Sequence, residues 1–118
     1  MSTTMRFKLA TAAAVVVALA LLAVPSLASF KHHVTIKEGD AGYHFKPGKI
    51  TITKGQTVHW SWKSDEPHNV TFGQKLNGKH SKTKKNLDDF HVTFKHVGTY
   101  RYSCTVHAFT GKVVVTAG

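Results

Sequence analysis

The strongest constraint on this chain is alternation. In KITITKGQTVHWSWK, residues 49–63, the apolar residues Ile50 and Ile52, then Val58, Trp60 and Trp62, fall on every second position of each run. Thr51, His59 and Ser61 fill the intervening places. A period of two is the repeat of an extended strand with one face buried. Lys54-Gly55 between the runs reads as a tight turn. The pattern returns in DFHVTFKHVGTYRYSC, residues 89–104, where Phe90, Val92 and Phe94 alternate with His91, Thr93 and Lys95. After Val97-Gly98, Tyr100, Tyr102 and Cys104 alternate with Thr99, Arg101 and Ser103. Shorter strands are predicted at 34–37 and 43–46, and a last one at 112–116. Several short, half-buried strands joined by turns predict an all-β antiparallel sandwich or barrel.

The N-terminus follows different rules. Arg6 and Lys8 precede a run, residues 9–24, that is apolar but for Thr11, and Pro25 ends it. Ser26-Leu27-Ala28 then offers small residues at the two positions a signal peptidase reads. The expectation is a signal peptide over residues 1–28, cleavage after Ala28, and one domain over 29–118. The run is shorter than the about 20 residues that span a bilayer, so no stable membrane insertion is expected after cleavage. The protein is therefore read as exported: periplasmic, cell-surface or secreted.

Charge narrows the partners. The chain has 16 Lys+Arg against 6 Asp+Glu, formally +10; without Arg6 and Lys8 the balance is 14 against 6, or +8. Lys75, Lys79, Lys82, Lys84 and Lys85 crowd the polar stretch 73–89, which reads as a long exposed loop. It is either a solvated loop or one that steers acidic partners. Asp88 and Asp89 read as part of a turn, since neighbours on an extended chain point to opposite sides.

The lone cysteine carries the chemistry. An unpaired thiol in an oxidising compartment is a liability unless buried or occupied. Cys104 and His107 form C-x-x-H in YSCTVHAFTGKVVV, which alone is weak evidence among nine histidines. A third element is EPHNVTF, residues 66–72, which places His68 between a proline-bearing turn and a short strand. One thiolate and two imidazoles suit copper electron transfer when an axial group is weak or distant. His44, His59, His80, His91 and His96 read as exposed surface histidines, and Trp60 and Trp62 as core.

In these segments the sequence resembles the cupredoxins, the small blue-copper proteins, and in particular their plastocyanin and amicyanin branch. YHFKPGKITITKGQTVHWSWKSDEPHNVTF, residues 43–72, is similar to the first half of that family. DFHVTFKHVGTYRYSCTVHAFTGKVVV, residues 89–115, is similar to its C-terminal half. The resemblance implies a Greek-key β-sandwich that binds one copper through His68, Cys104 and His107. It also implies that Pro67 sets its carbonyl near the open side of the metal and that Asn69 braces the ligand loop. Thr110 stands where this branch has its axial methionine, and the only methionines are Met1 and Met5 in the leader.

The expected function is one-electron transfer, without enzymatic activity, by a monomer cycling between Cu(I) and Cu(II). Electrons would pass at the edge of His107, bordered by Val106, Ala108 and Phe109, to an acidic redox protein. Two alternatives use other chemistry: copper storage or delivery on the same ligands, and a basic module for anionic polymers or surfaces. Nucleic acid is not an expected partner, because the aromatics face inward and leave no stacking platform.

Overall fold

A computed structural model describes residues 32–118. The proposed leader, its cleavage point and the first residues after it lie outside the described residues. Eight strands follow one another: β1 His33–Gly39, β2 Gly42–Lys46, β3 Lys49–Thr53, β4 Thr57–His68, β5 Thr71–Phe72, β6 Lys84–Thr93, β7 Gly98–Ser103 and β8 Thr110–Thr116. They form two four-stranded sheets, ordered β2-β1-β4-β6 and β3-β8-β7-β5. The β-sandwich is thus the fold. Most neighbours run antiparallel, but β1 pairs parallel with β4, and β3 parallel with β8, so both sheets are mixed.

The alternating residues meet between the sheets. Val58, Trp60 and Trp62 of β4, Val92 of β6, Tyr100 and Tyr102 of β7 and Val113 and Val115 of β8 are all buried. Rings from opposite sheets interlock edge to face: Trp60 against Phe72 at 5.7 Å, and Phe45 against Tyr102 at 4.7 Å. Such pairs add to the large apolar area each aromatic ring removes from water. This concentration of rings supplies the core of a small domain whose one cysteine is free.

Four sequence readings are corrected by the fold. The stretch 73–89 is not loop throughout, because Lys84 opens β6 and Asp88 and Asp89 lie inside that strand rather than in a turn. Leu87 is buried opposite Trp62, whose indole N–H donates to the Lys84 carbonyl at 2.9 Å. One apolar residue thus anchors a polar strand. Only residues 73–83 connect β5 to β6, with a 3-10 turn at Gln74–Leu76. Within it Lys75 is tethered, donating to the Thr99 carbonyl at 2.8 Å.

His68 is the last residue of β4 rather than lying between a turn and a strand. Register shifts between Trp60 and Trp62 and between Lys63 and His68 carry the strand irregularly past Pro67. Of the five histidines read as exposed, His59 is half-buried. Its ring stacks on His33 at 5.4 Å and its Nε2 bonds the Asp88 carbonyl at 2.8 Å.

Candidate metal centre

At one end of the sandwich, β4 delivers His68 and the segment after β7 delivers Cys104 and His107. Cys104 continues the inward parity of Tyr100 and Tyr102, so its sulfur enters the core and is fully buried, as is His68. The chain then reverses at once. Cys104 N–H donates to the Phe109 carbonyl at 2.9 Å, and Ala108 N–H donates to the Cys104 carbonyl at 2.8 Å. Ala108 takes a left-handed φ of 64° to close this loop, a conformation that costs an alanine about 1 kcal/mol. The tight reversal brings the His107 ring back over the sulfur.

The three donors converge. Nδ1 of His68 lies 3.9 Å from Cys104 Sγ, and Nδ1 of His107 lies 4.0 Å from it. All three donor atoms are within 4.8 Å of one another. A borderline divalent ion bonds imidazole at about 2.0 Å and thiolate at about 2.3 Å. Such bonds meeting at a trigonal angle separate nitrogen from sulfur by roughly 3.7 Å. The side chains therefore fit a single small ion with little adjustment.

The outer nitrogens are also accounted for. Ser64 Oγ lies 2.9 Å from His68 Nε2, and Glu66 Oε1 lies 3.3 Å from His107 Nε2. Partners on the far nitrogen fix the ring orientation and leave Nδ1 to face the metal. Burial, followed by the neighbouring His107, lowers the pKa of His68, while Glu66 opposes part of that shift. A neutral imidazole is the form that binds a metal. Tyr43 of β2 closes the site from the side, with its ring 4.4 Å from that of His68 and 5.1 Å from that of His107. Its hydroxyl donates to Glu66 Oε2 at 3.3 Å.

Asn69 makes four hydrogen bonds. Its amide donates to Thr83 Oγ1 at 3.0 Å and to Thr105 Oγ1 at 2.8 Å. Its carbonyl accepts from Thr71 Oγ1 at 2.9 Å and from Thr105 N–H at 3.1 Å. One buried side chain thus ties the residue after His68 to the residue after Cys104.

Thr110 is placed elsewhere. It opens β8, where Gly111, Val113 and Val115 are buried and Thr110 is exposed. It pairs with Ser103 and lines an outer groove with Thr71 and Lys112. Its side chain is on the face opposite the core, whereas the resemblance put Thr110 where the axial methionine stands. Pro67 is half-buried at the end of β4. Around the His107 edge, Val106 is 49 % exposed, Ala108 is exposed and Phe109 is half-buried, 5.6 Å from the His68 ring.

Ser64, Glu66 and Tyr43 carry no sequence signal. Their positions depend on the irregular end of β4 and on the pairing of β2 with β1, which no local pattern announces.

A mononuclear site of one thiolate and two imidazoles on a β-sandwich defines a soft-metal protein. The plastocyanin/azurin family of copper binding proteins matches residues 30–116. The chain belongs to that family, and copper is its metal. It is 35% identical to amicyanin of Paracoccus versutus over 71 residues, covering 57% of this chain and 54% of that protein. It is 32% identical to plastocyanin of Scenedesmus fuscus, covering 66% of this chain and 91% of that one. The match spans just over half the length of the curated amicyanins. Among solved structures, a purple cupredoxin from Nitrosopumilus maritimus superposes with a TM-score of 0.61 at 26% identity. That match covers 73% of this chain and all of the other.

Proposed function

We propose that this protein is an exported one-electron carrier that holds a single copper through His68, Cys104 and His107. The observation that carries the reading is the convergence of these three donors, two of them fully buried, within 4.8 Å. Copper bound there supplies one-electron chemistry between Cu(I) and Cu(II), and the chain's residues make that exchange possible. Cys104 provides the soft thiolate. His68 and His107 provide imidazoles whose outer nitrogens are held by Ser64 and Glu66.

The β-sandwich and the Asn69 bonds hold the donors in place, so little rearrangement accompanies a change of charge. His107, with its side chain 23% exposed, is the half-open edge through which electrons pass. The apolar surround of Val106, Ala108 and Phe109 suits the brief encounters of redox partners. The positive charge favours an acidic redox protein and raises its on-rate at low salt.

Thr110 contributes no bond to the metal in this reading, since its side chain belongs to the outer face. Met1 and Met5 both fall in the proposed leader, so the residues that would hold copper are His68, Cys104 and His107.

The test is spectroscopic. Adding Cu(II) to the purified chain should give one equivalent bound, an intense visible band from thiolate-to-copper charge transfer and a reversible one-electron wave. No strong band, or a band that persists in Cys104→Ser, would end this reading. Rapid loss of copper to a chelator with slow electron self-exchange would favour copper delivery on the same ligands.

A further inference from the structure

The two sheets differ in charge. All six acidic residues lie on the β2-β1-β4-β6 sheet or its turn: Glu38, Asp40, Asp65, Glu66, Asp88 and Asp89. The strands of the β3-β8-β7-β5 sheet contain none, but they carry Lys49, Lys112 and Arg101. Register brings these three together, since Lys49 pairs with Lys112 and Lys112 pairs with Arg101. Adjacent strands are about 4.8 Å apart, so three cations sit abreast within roughly 10 Å on one outer face.

Like charges directly opposite one another on a sheet oppose folding. No carboxylate on this sheet's strands relieves them. The next row across the sheet is Thr71, Ser103 and Thr110, paired in the same way. These hydroxyls, with Arg101 and Lys112, border an open groove of about 490 Å³.

We propose that this outer face is a docking surface for a carboxylate-rich segment of a partner protein. A row of cations beside a row of hydroxyls offers charge and hydrogen-bond donors to successive carboxylates, and the Arg101 guanidinium can grip one of them at two points. Nucleic acid fits less well. The rings that line the groove, Phe72 and Tyr102, are each 3% exposed, so no aromatic face is offered to a base. Ser103 and Thr110 adjoin the two ends of the ligand loop, so a segment held here lies beside the metal-binding end. The proposal rests on charge placement and register and is independent of electron transfer.

A fluorescent deca-glutamate peptide is the probe, titrated by anisotropy at low ionic strength. The triple variant Lys49→Gln, Arg101→Gln, Lys112→Gln should weaken its binding by about tenfold. A control, Lys37→Gln, Lys63→Gln, Lys95→Gln, removes the same charge from the β2-β1-β4-β6 sheet and the turn after β6 and should weaken binding by less than about twofold. Equal weakening by both variants would mean that net charge alone binds the peptide and would overturn the proposal. So would tighter binding of a deoxythymidine decamer that loses affinity in the same triple variant. In the unmodified protein, the peptide should shift the amide resonances of Thr71, Ser103 and Thr110 before those of Lys37 and Lys63. This readout does not depend on any variant folding, and the reverse order refutes the docking face.

Discussion

Glu66 Oε1 lies 3.3 Å from His107 Nε2, joining the end of β4 to the loop between β7 and β8. The contact places a carboxylate on the outer nitrogen of the most exposed of the three proposed ligands. A negative charge there favours the more positive oxidation state of a bound copper and makes the ring a stronger donor. Glu66→Gln should therefore retain copper and the visible band but raise the reduction potential. An exposed ion pair contributes about 0.2–1 kcal/mol, which at 59 mV per tenfold change corresponds to roughly 10–40 mV. Voltammetry of both proteins decides it. An unchanged or lowered potential would show that the carboxylate does not act on the site.

Asn69 uses its full hydrogen-bonding capacity on Thr71, Thr83 and Thr105. Replacing it by alanine removes four hydrogen bonds from a buried side chain to threonines that are themselves half-buried or exposed, and each such bond contributes about 0.5–1.5 kcal/mol net. Asn69→Ala should lower the stability of the copper-free protein by roughly 2–4 kcal/mol. It should also shift the visible band, because Thr105 follows Cys104 directly. Urea melts of the copper-free form separate the two effects. A shifted band with unchanged stability would mean that the bonds tune the site without bracing it.

The sandwich was legible because burial in strands has a period of two, and Val58, Trp60 and Trp62 or Tyr100, Tyr102 and Cys104 display it without interruption. The three converging donors were legible because a thiol and an imidazole three residues apart can share a metal, and EPHN supplied the third. The start of β6 was hidden because Lys84–Asp89 has one apolar residue, Leu87, and its pairing depends on Trp62 across the sheet. The orientation of Thr110 was hidden for a different reason. A match to the family's axial position gives a place in the chain but not parity, and parity is set where β8 begins, with Gly111 facing inward. Glu66, Ser64 and Tyr43 reach the site through bulges and register, which have no local sequence signature.

Gly111 faces inward because Tyr102 fills the space a side chain would need. A Cβ built on Gly111 would lie 2.6 Å from the Tyr102 ring and from its hydroxyl oxygen. The two residues are paired across β7 and β8, so neither can move without disturbing the ladder that holds Cys104. Gly111→Ala should cost about 1–3 kcal/mol by overpacking, read as a lower urea midpoint with an unchanged slope. Adding Tyr102→Leu should recover part of the loss. No recovery would mean that the Tyr102 ring is not what opposes the added methyl.

Tyr102 also makes the fold sensitive to alkali. Its ring is 3% exposed, and its hydroxyl and the indole N–H of Trp60 are buried without a completed hydrogen bond among the described residues. Burial pushes the phenol pKa up from 10.0 to about 12, with the nearby indole N–H opposing a smaller part of the shift. Below pH 10 the folded and unfolded chains both keep the proton, and stability is intact. Between pH 10 and about 12 the unfolded chain releases it while the folded protein does not, so stability falls as pH rises. By about one unit above the ordinary value the loss reaches about 1.4 kcal/mol. Tyr102→Phe removes this dependence and, because the hydroxyl lacks a partner, should cost little at neutral pH. Urea melts of the two proteins at about pH 9 and about pH 11 should therefore show the variant gaining about 1.4 kcal/mol relative to the unmodified chain. A difference that stays the same at both pH values would mean that Tyr102 ionises in the folded state as readily as in the unfolded one.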